Sequence, residues 1–439
     1  MEYDTTLNRL LYKELLEWKA SNNRKPLILY GVRQVGKTWL LNEFGKNEFK
    51  QTVYLNFDTD RKIHKYFEDN ISPTEIIKGL ELYFDKKFDT ANTLFIFDEI
   101  QECQRAKDSL KYFNEAAPQY HIAAAGSFLG IASGKFPVGQ VNELTLYPLT
   151  FTEFLEATGY RMLAETMREK LEKAPIDISA GLLIEKLKEY LVVGGMPEAV
   201  KTFAESGDYR KTRNVQEQIL NNYSNDFSKH INAVNIPKVH MLWDSIPAHL
   251  SREKKKFIYK EIKTGARAAE FENAMHWLVS TGLVHKVHRV SNPQIPLLRS
   301  ANREYFKLYM NDVGLLSAKT QIDISTLMMP GNNLFADFKG ALTEQYVLQE
   351  LKAHGNLPIF YWVNDSGIAE VDFLLQYKNE IIPLEVKSSD NTKAQSLAVY
   401  REKFKPKHAA RISLKPYGND KGLISVPLYM AGLFPYQFI

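Results

Sequence analysis

Short apolar runs alternate with amphipathic segments of ten to fifteen residues up to about residue 158. Because buried parallel strands are covered on both faces, their sequences are almost continuously apolar. The alternation therefore predicts an α/β domain with a parallel sheet at 1–158. The apolar runs are Leu27–Tyr30, Val53–Phe57, Leu94–Phe97, Ile122–Ala125 and Leu144–Leu146.

Helical periodicity dominates the middle of the chain, and three parts follow the first domain. Helical patterns at 237–250, 256–264 and 268–281 precede a strand pattern at 283–290, and three helices followed by a β-hairpin are the order of a winged helix. The C-terminal part predicts another α/β domain. Its pattern predicts a helix at 338–354 and strands at 359–363, 370–376 and 381–387. The predicted parts are a helical lid or linker at 159–232, a winged-helix-like domain at 233–320 and a C-terminal domain at 321–439.

Length, composition and charge narrow the class of protein but do not identify a binding partner. A chain of 439 residues is long enough for two to four domains. Its 56 basic and 52 acidic residues nearly cancel, so only local clusters of charge are informative. The single cysteine, Cys103, excludes an intrachain disulfide. The sequence has no secretory signal pattern and no apolar run of membrane-spanning length, so we expect a cytoplasmic protein without a membrane partner.

A phosphate-binding loop (P-loop) pattern follows the first predicted strand. Residues 31–38 fit G-x-x-x-x-G-K-[ST], and a helical pattern follows them. In this motif glycines let backbone N–H groups surround phosphates, the lysine reaches the β- and γ-phosphates, and the threonine hydroxyl binds Mg²⁺. The sequence thus predicts ATP and Mg²⁺ as ligands. The predicted ATP-binding residues are Gly31, Val32, Arg33, Gln34, Val35, Gly36, Lys37, Thr38 and Trp39.

Two carboxylates close the apolar run Leu94–Phe97, as in a Walker B motif. Asp98 is predicted to hold Mg²⁺ with Thr38, and Glu99 to orient the attacking water as general base. Ser127, after the fourth strand, is a candidate contact for the γ-phosphate or the water, or simply a turn residue. No arginine finger is assigned from the sequence: Arg33 and Arg105 are candidates, and a solvated arginine or a local salt bridge is the alternative for each.

A second set of acidic residues lies in the C-terminal part. Glu344 is on the predicted helix, and Asp372 is on a predicted strand. Glu385 and Lys387 share one face of the next strand, because side chains two apart on a strand point the same way. Carboxylates with a lysine suit phosphodiester hydrolysis with Mg²⁺ bound by Glu344, Asp372 and Glu385 and with Lys387 offsetting charge. The alternative is an inherited fold whose acidic residues no longer cleave.

Two basic clusters are candidate nucleic-acid contacts, although each is also compatible with a solvated charged surface. The first is placed beside a predicted recognition helix at 268–281, which suits phosphate contacts. It consists of Arg252, Lys254, Lys255, Lys256, Lys260, Lys263 and Arg267. The second consists of Lys387, Lys393, Arg401, Lys403, Lys405, Lys407, Arg411 and Lys415.

Taken together, these motifs resemble a family of prokaryotic AAA-type ATPases. In that family a C-terminal domain of unknown function is similar to the PD-(D/E)xK restriction-endonuclease fold. The matching segments are GVRQVGKTWLL (31–41), LFIFDEIQEC (94–103), AAGS (124–127), LYPLTFTEFL (146–155), VGGMPEAV (193–200), FKLYMNDVGLL (306–316), GALTEQYVLQEL (340–351), AEVDFLL (369–375) and PLEVKSS (383–389). The resemblance implies a nuclease-like fold for the C-terminal domain and the acidic set Glu344, Asp372 and Glu385 with Lys387. AAA-type ATPases commonly form hexamers, so it is also compatible with a homo-oligomer.

Three hypotheses follow. The first is an ATP-hydrolysing, DNA-associated protein in which nucleotide state controls a winged helix and a nuclease-like domain. The second is an ATP-gated regulatory or scaffold protein with a catalytically inactive nuclease-like domain. The third is a nuclease whose P-loop only senses ATP.

Overall fold

A parallel sheet organises the first part of the computed structural model. Its strands run in the order β2-β3-β4-β1-β5, and every neighbouring pair is parallel. The strands are β1 (Leu27–Tyr30), β2 (Gln51–Asn56), β3 (Thr93–Asp98), β4 (His121–Ala125) and β5 (Asn142–Thr145). The helices around them are α1 (Leu11–Ala20), α2 (Lys37–Glu48), α3 (Lys65–Glu68), α4 (Pro73–Tyr83) and α5 (Gln104–Ala116). The structure describes residues 9–68, 71–126, 139–168, 176–252, 255–321, 336–355, 357–388 and 395–439.

The parallel sheet forms because its central strands are apolar on both faces. Every residue of β3 and β4 is buried. Side chains of β2, α4 and α5 pack with them into one core, which includes Leu55, Ile76, Phe97 and Leu110. The predicted α/β domain with a parallel sheet is confirmed.

Contacts divide the chain into two compact units. The first unit contains residues 8–147 and 280–282, and the second contains 148–279 and 283–439. The second unit therefore includes the regions predicted as lid, winged helix and C-terminal domain. The four-domain division remains a prediction.

Helices make up the first half of the second unit. They are α6 (Phe151–Ala157), α7 (Arg161–Arg168), α8 (Ile176–Val193), α9 (Pro197–Ser206), α10 (Tyr209–His230), α11 (Ile236–Leu250) and α12 (Ala268–Ser280). The entry to α6 is a capping box, in which the Thr150 hydroxyl and the Glu153 carboxylate accept each other's backbone N–H. None of the described helices is both long enough and apolar enough to span a membrane.

The helix predicted at 256–264 is wrong. Only a 3₁₀ turn, Tyr259–Glu261, forms there. The N–H of Phe257 donates to the carbonyl of Phe306 at 2.9 Å, and the two rings stack. This pairing with a distant strand draws the segment out of the helical conformation that its local pattern favours.

A mixed sheet occupies the second half of this unit. Eight described strands run in the order β12-β13-β11-β10-β9-β8-β6-β7. They are β6 (Val284–Val290), β7 (Ala301–Met310), β8 (Ile359–Val363), β9 (Glu370–Tyr377), β10 (Glu380–Val386), β11 (Ala409–Ser413), β12 (Gly418–Asp420) and β13 (Leu423–Pro427). The accompanying helices are α13 (Val313–Lys319), α14 (Ala336–Ala353) and α15 (Gln395–Phe404).

The predicted β-hairpin is part of this larger sheet. Strands β6 and β7 are antiparallel, and β6 also pairs in parallel with β8, with His288 opposite Phe360. The core beneath the sheet includes Val290 of the hairpin together with Trp362 and Tyr400. The hairpin and the C-terminal region thus share both a hydrogen-bonded sheet and a hydrophobic core.

Candidate functional site

The loop between β1 and α2 has the backbone conformation of a phosphate-binding loop. Gly31 and Gly36 have φ angles of 148° and 95°, a region that favours glycine. A Cβ atom at Gly31 would lie 2.5 Å from the carbonyl oxygen of Leu146, so a larger residue does not fit. The loop leads directly into α2, whose N-terminus carries partial positive charge.

Lys37 holds its amine inside this loop. The side chain is buried, and Nζ donates to the carbonyl oxygens of Gly31 at 2.7 Å and Val32 at 2.9 Å. Burial lowers the pKa of Lys37 to about 8, although Glu99 and Asp98 favour the charged form. An arriving phosphate would therefore meet an amine that has already lost most of its water.

Asp98, at the carboxyl end of β3, contacts the loop directly. The Thr38 hydroxyl donates to Oδ2 of Asp98 at 2.9 Å, and the carboxylate is almost fully buried. The N–H of Glu99 donates to Oδ1 of Asp98 at 3.0 Å. A hydroxyl and a carboxylate at one point are oxygen ligands that suit Mg²⁺, so the residues present fit this ion.

Glu99 follows Asp98 in a left-handed backbone conformation, with φ at 48°. Its Oε2 atom accepts a hydrogen bond of 2.5 Å from Nε2 of Gln101. The structure thus places the predicted general base next to the predicted Mg²⁺ ligand, with one carboxylate oxygen held by a neighbouring amide. Ser127, the other predicted catalytic residue of this unit, lies outside the described residues.

Tyr54 belongs to this site, but sequence reasoning missed it. It lies on β2, and its hydroxyl donates to Oδ2 of Asp98 at 2.7 Å. Burial raises the pKa of Tyr54 to about 12, so the phenol remains a donor at neutral pH. The sequence contained a signal for this contact. Tyr54 lies near the carboxyl end of a predicted strand, and that strand could pair with the strand that ends in Asp98.

The predicted acidic set of the C-terminal region lies in the second unit. Glu344 is on α14, Asp372 on β9 and Glu385 on β10. Burial raises the pKa of Asp372 well above its usual range, and the Glu344 and Glu385 carboxylates raise it further. The three carboxyl groups are therefore near neighbours.

Lysines already occupy oxygens of this acidic set. Nζ of Lys387 lies 2.6 Å from Oε1 of Glu385, and Lys255 forms an ion pair with Oε1 of Glu344. Although burial opposes ionisation, Lys255 and Lys307 lower the pKa of Glu344 to about 2. Within the described residues, no group of three His, Cys, Asp or Glu side chains could hold a metal ion. The metal set of Glu344, Asp372 and Glu385 stays a prediction, with lysines paired to two of its three carboxylates.

Comparison with known protein families identifies the domain in the first unit. Residues 23–155 match the model of a family described as AAA domain. Residues 23–155 form an AAA-type P-loop domain. Two further models, both described as domains of unknown function, match residues 184–326 and 339–429. They extend the recognisable part of the chain through most of the second unit without assigning it an activity.

Two curated relatives come from Methanocaldococcus jannaschii. One uncharacterized protein is 24% identical over 416 residues, which cover 91% of this chain and 83% of the relative. Another is 25% identical over 224 residues, covering 48% of this chain and 46% of that protein. The first of these alignments includes the AAA-type domain and most of the second unit together.

Solved structures give more distant matches. A Walker-type ATPase of Pyrococcus abyssi matches with a TM-score of 0.44 and 14% identity, covering 72% of this chain and 96% of that chain. The Orc1 protein of Aeropyrum pernix, solved in complex with DNA, matches with a TM-score of 0.29 and 12% identity. That match covers 73% of this chain and 92% of the other.

Two arginines of the AAA-type domain are candidate finger residues by sequence. Arg33 lies inside the loop, and Arg105 lies at the start of α5. The Arg105 guanidinium donates to the carbonyl oxygen of Glu68 at 3.1 Å, so it has a local structural partner. A third arginine, Arg9, is buried and donates to the carbonyl of Val35 at 3.2 Å, which supports the loop from the N-terminal side.

Proposed function

We propose that the AAA-type domain binds ATP with Mg²⁺ and hydrolyses it. The observation that carries this proposal is the 2.9 Å hydrogen bond from the Thr38 hydroxyl to the Asp98 carboxylate, with the Lys37 amine in the same loop. The helix N-terminus and Lys37 would neutralise phosphate charge, and Thr38 and Asp98 would hold Mg²⁺. Bound Mg²⁺ would add charge stabilisation at the phosphates.

Glu99 is the proposed general base. Its carboxylate follows the proposed Mg²⁺ ligand by one residue, where it could orient a water molecule towards the terminal phosphate. In the structure Gln101 holds one of its oxygens. Catalysis requires that Glu99 exchange this amide for water.

Replacing Glu99 by glutamine tests hydrolysis separately from binding. We expect Glu99→Gln to lower kcat about 100-fold, because the amide cannot accept the proton, while the Kd for Mg-ATP stays close to wild type. Steady-state phosphate release and calorimetric titration with Mg-ATP measure the two quantities. Glu102→Gln, three residues further along at the end of the 3₁₀ turn Ile100–Glu102, is the matched control and should keep full turnover. Unchanged turnover in Glu99→Gln would contradict this role.

We further propose that the protein associates with DNA, and that nucleotide state controls the winged-helix-like and nuclease-like regions. The support is a set of exposed basic side chains just before α12, namely Lys260, Lys263 and Arg267. Lys255 and Arg252, from the same sequence cluster, do not contribute, because they are paired with Glu344 and Glu261. In the second basic cluster, Lys403 and Lys407 have carboxylate partners at 3.6 and 3.2 Å. The first cluster is therefore the better candidate.

Charge reversal tests the proposed DNA surface. We expect a Lys260→Glu, Lys263→Glu, Arg267→Glu variant to weaken DNA binding about tenfold or more, because each basic contact with a phosphate releases counterions. Its binding should also depend less steeply on salt concentration. Fluorescence anisotropy with labelled single- and double-stranded DNA measures both effects.

The control variant reverses three charges elsewhere, so that its net charge equals that of the test variant. It replaces three exposed lysines of the first unit, Lys78, Lys86 and Lys111, by glutamate. Equal loss of DNA binding in both triple variants would mean that net charge, and not this surface, attracts DNA. Stimulation of ATP hydrolysis by either form of DNA would support control of one activity by the other.

The alternative function is an ATP-gated regulatory or scaffold protein with a catalytically inactive nuclease-like region. One observation favours it over cleavage. Two of the three carboxylates that would bind metal in a PD-(D/E)xK nuclease, Glu344 and Glu385, are paired with Lys255 and Lys387. Under this alternative, ATP binding and DNA association remain, and the C-terminal region binds without cutting.

A further inference from the structure

A fully buried lysine stands beside the acidic set of the second unit. Lys307 is on β7, and its side chain has no exposed surface. Its Nζ atom lies 2.5 Å from Oε1 of Glu370 and 3.8 Å from Oε2 of Glu344. Charged groups are very rarely buried completely unless carboxylates pair with them. The position of Lys307 therefore depends on these acidic residues.

Two further oxygens of the acidic set accept hydrogen bonds, whereas Oε2 of Glu385 is buried without a hydrogen-bond partner. Oε2 of Glu344 accepts a hydrogen bond from the Tyr309 hydroxyl at 3.2 Å. Oδ2 of Asp372 accepts one from the N–H of Val386 at 2.8 Å. Together with Lys255 and Lys387, Lys307 brings three amines to four carboxyl groups, which are Glu344, Glu370, Asp372 and Glu385.

Two physical reasons disfavour a divalent ion in this arrangement. Mg²⁺ requires several oxygen ligands at close range in near-octahedral geometry, and an amine, a hydroxyl or a backbone N–H already contacts five of the eight carboxyl oxygens here. An ammonium group at the same carboxylates also repels a dication.

We propose that Lys307, assisted by Lys255, takes the place of a metal ion at this acidic cluster. The cluster is then an ion-pair site without a metal ion. Its ion pairs connect Lys307 of the β6–β7 hairpin and Lys255 to Glu344 on α14 and Glu370 on β9. Its task is to fix the middle region of the second unit against the C-terminal sheet. The lysine of β7 performs the charge neutralisation that a divalent cation would perform in a PD-(D/E)xK nuclease.

Manganese binding tests the proposal directly. The full-length Asp98→Asn variant, without nucleotide, removes the proposed metal ligand of the first unit. Titration with MnCl₂, followed by the electron paramagnetic resonance signal of free Mn²⁺, should show no saturable site at submillimolar concentration. EDTA should likewise leave the melting temperature of the wild-type protein unchanged. A saturable Mn²⁺ site that disappears on Asp372→Asn, or a lower melting temperature in EDTA, would overturn the proposal.

Stability of lysine variants gives a second test. We expect Lys307→Met to lower the melting temperature by several degrees, because it leaves buried carboxylates without their cation. Adding Glu370→Gln to this variant should recover part of the loss, which a double-mutant cycle measures. Lys286→Met is the matched control on the neighbouring strand, since its amine lies over the Phe306 ring at 4.0 Å. A Lys307→Met protein that melts like wild type would refute the role of Lys307.

Discussion

Replacing Lys37 by alanine is expected to raise the Kd for Mg-ATP about 1,000-fold, which corresponds to about 4 kcal/mol of binding free energy. The reason is the position of the amine. It is buried in the loop and donates to the Gly31 and Val32 carbonyls. When ATP binds, the amine can exchange these neutral acceptors for phosphate oxygens. Hydrogen bonds that involve charged groups are about twice as strong as those between neutral groups. Alanine removes both the charge and the donors.

Wild-type affinity should also depend on pH in a defined direction. Burial lowers the pKa of Lys37 to about 8 in the unliganded protein. Only the protonated amine attracts phosphate, so the affinity for ATP should fall as the pH rises through about 8. Lys37→Ala should lack this step. Calorimetric titration with Mg-ATP at several pH values measures both results.

Lys46→Ala is the matched control for Lys37→Ala. Lys46 lies on the last turn of the same helix and is exposed, with Glu43 at 4.0 Å. The control should bind Mg-ATP as the wild type does, and both variants should melt like the unliganded wild type. If Lys37→Ala binds Mg-ATP with wild-type affinity, residues 31–38 are not a nucleotide site and the proposed function fails.

The first unit was largely predictable from sequence for a simple physical reason. Strand β1 coincides with its predicted range, Leu27–Tyr30, and β3 extends the predicted run Leu94–Phe97 by one residue at each end. Strands buried on both faces leave a strong apolar signal. The motifs then indicated which strand ends must meet, so the contact between Thr38 and Asp98 followed.

The second unit was less predictable because long-range pairing decides its structure. The pattern at 256–264 favours a helix, but pairing of Phe257 with Phe306 prevents it. The alternation of β7 marks Lys307 as an ordinary polar strand residue. Its burial depends on Glu370 and Glu344, which are distant in sequence. A local pattern contains no information about such partners.

Asp312 is the residue of the second unit for which we expect the largest loss of stability. It is fully buried and caps α13, because its Oδ1 accepts from the N–H of Leu315 at 2.9 Å. Its Oδ2 accepts from the N–H of Gly195 at 2.6 Å and from Nε2 of Gln349 at 3.3 Å. One carboxylate thus joins the turn after α8, the start of α13 and helix α14.

Asp312→Ala should lower the free energy of unfolding by about 3–5 kcal/mol, because it removes a helix cap and leaves buried donors without acceptors. Asp312→Asn keeps one acceptor oxygen and should lose about half as much. Urea unfolding followed by tryptophan fluorescence suits this measurement, since Trp243, Trp277 and Trp362 all lie in the second unit. Asp244→Ala is the control, because Asp244 is an exposed partner of Lys319 and should cost less than about 1 kcal/mol.

The pH dependence of this loss distinguishes a buried carboxyl group from a surface one. Burial raises the pKa of Asp312 from 3.8 to about 6, against the opposing effect of its backbone donors. The protonated carboxyl therefore contributes stability that is fully present below pH 3.8 and is lost as the pH rises through about 6. Alanine has no such group. The difference in free energy of unfolding between wild type and Asp312→Ala should therefore increase as the pH is lowered by about 2.5 units, from about 7 to about 4.5. A gap that is independent of pH, or smaller than that of Asp244→Ala, would mean that Asp312 does not hold these three segments together.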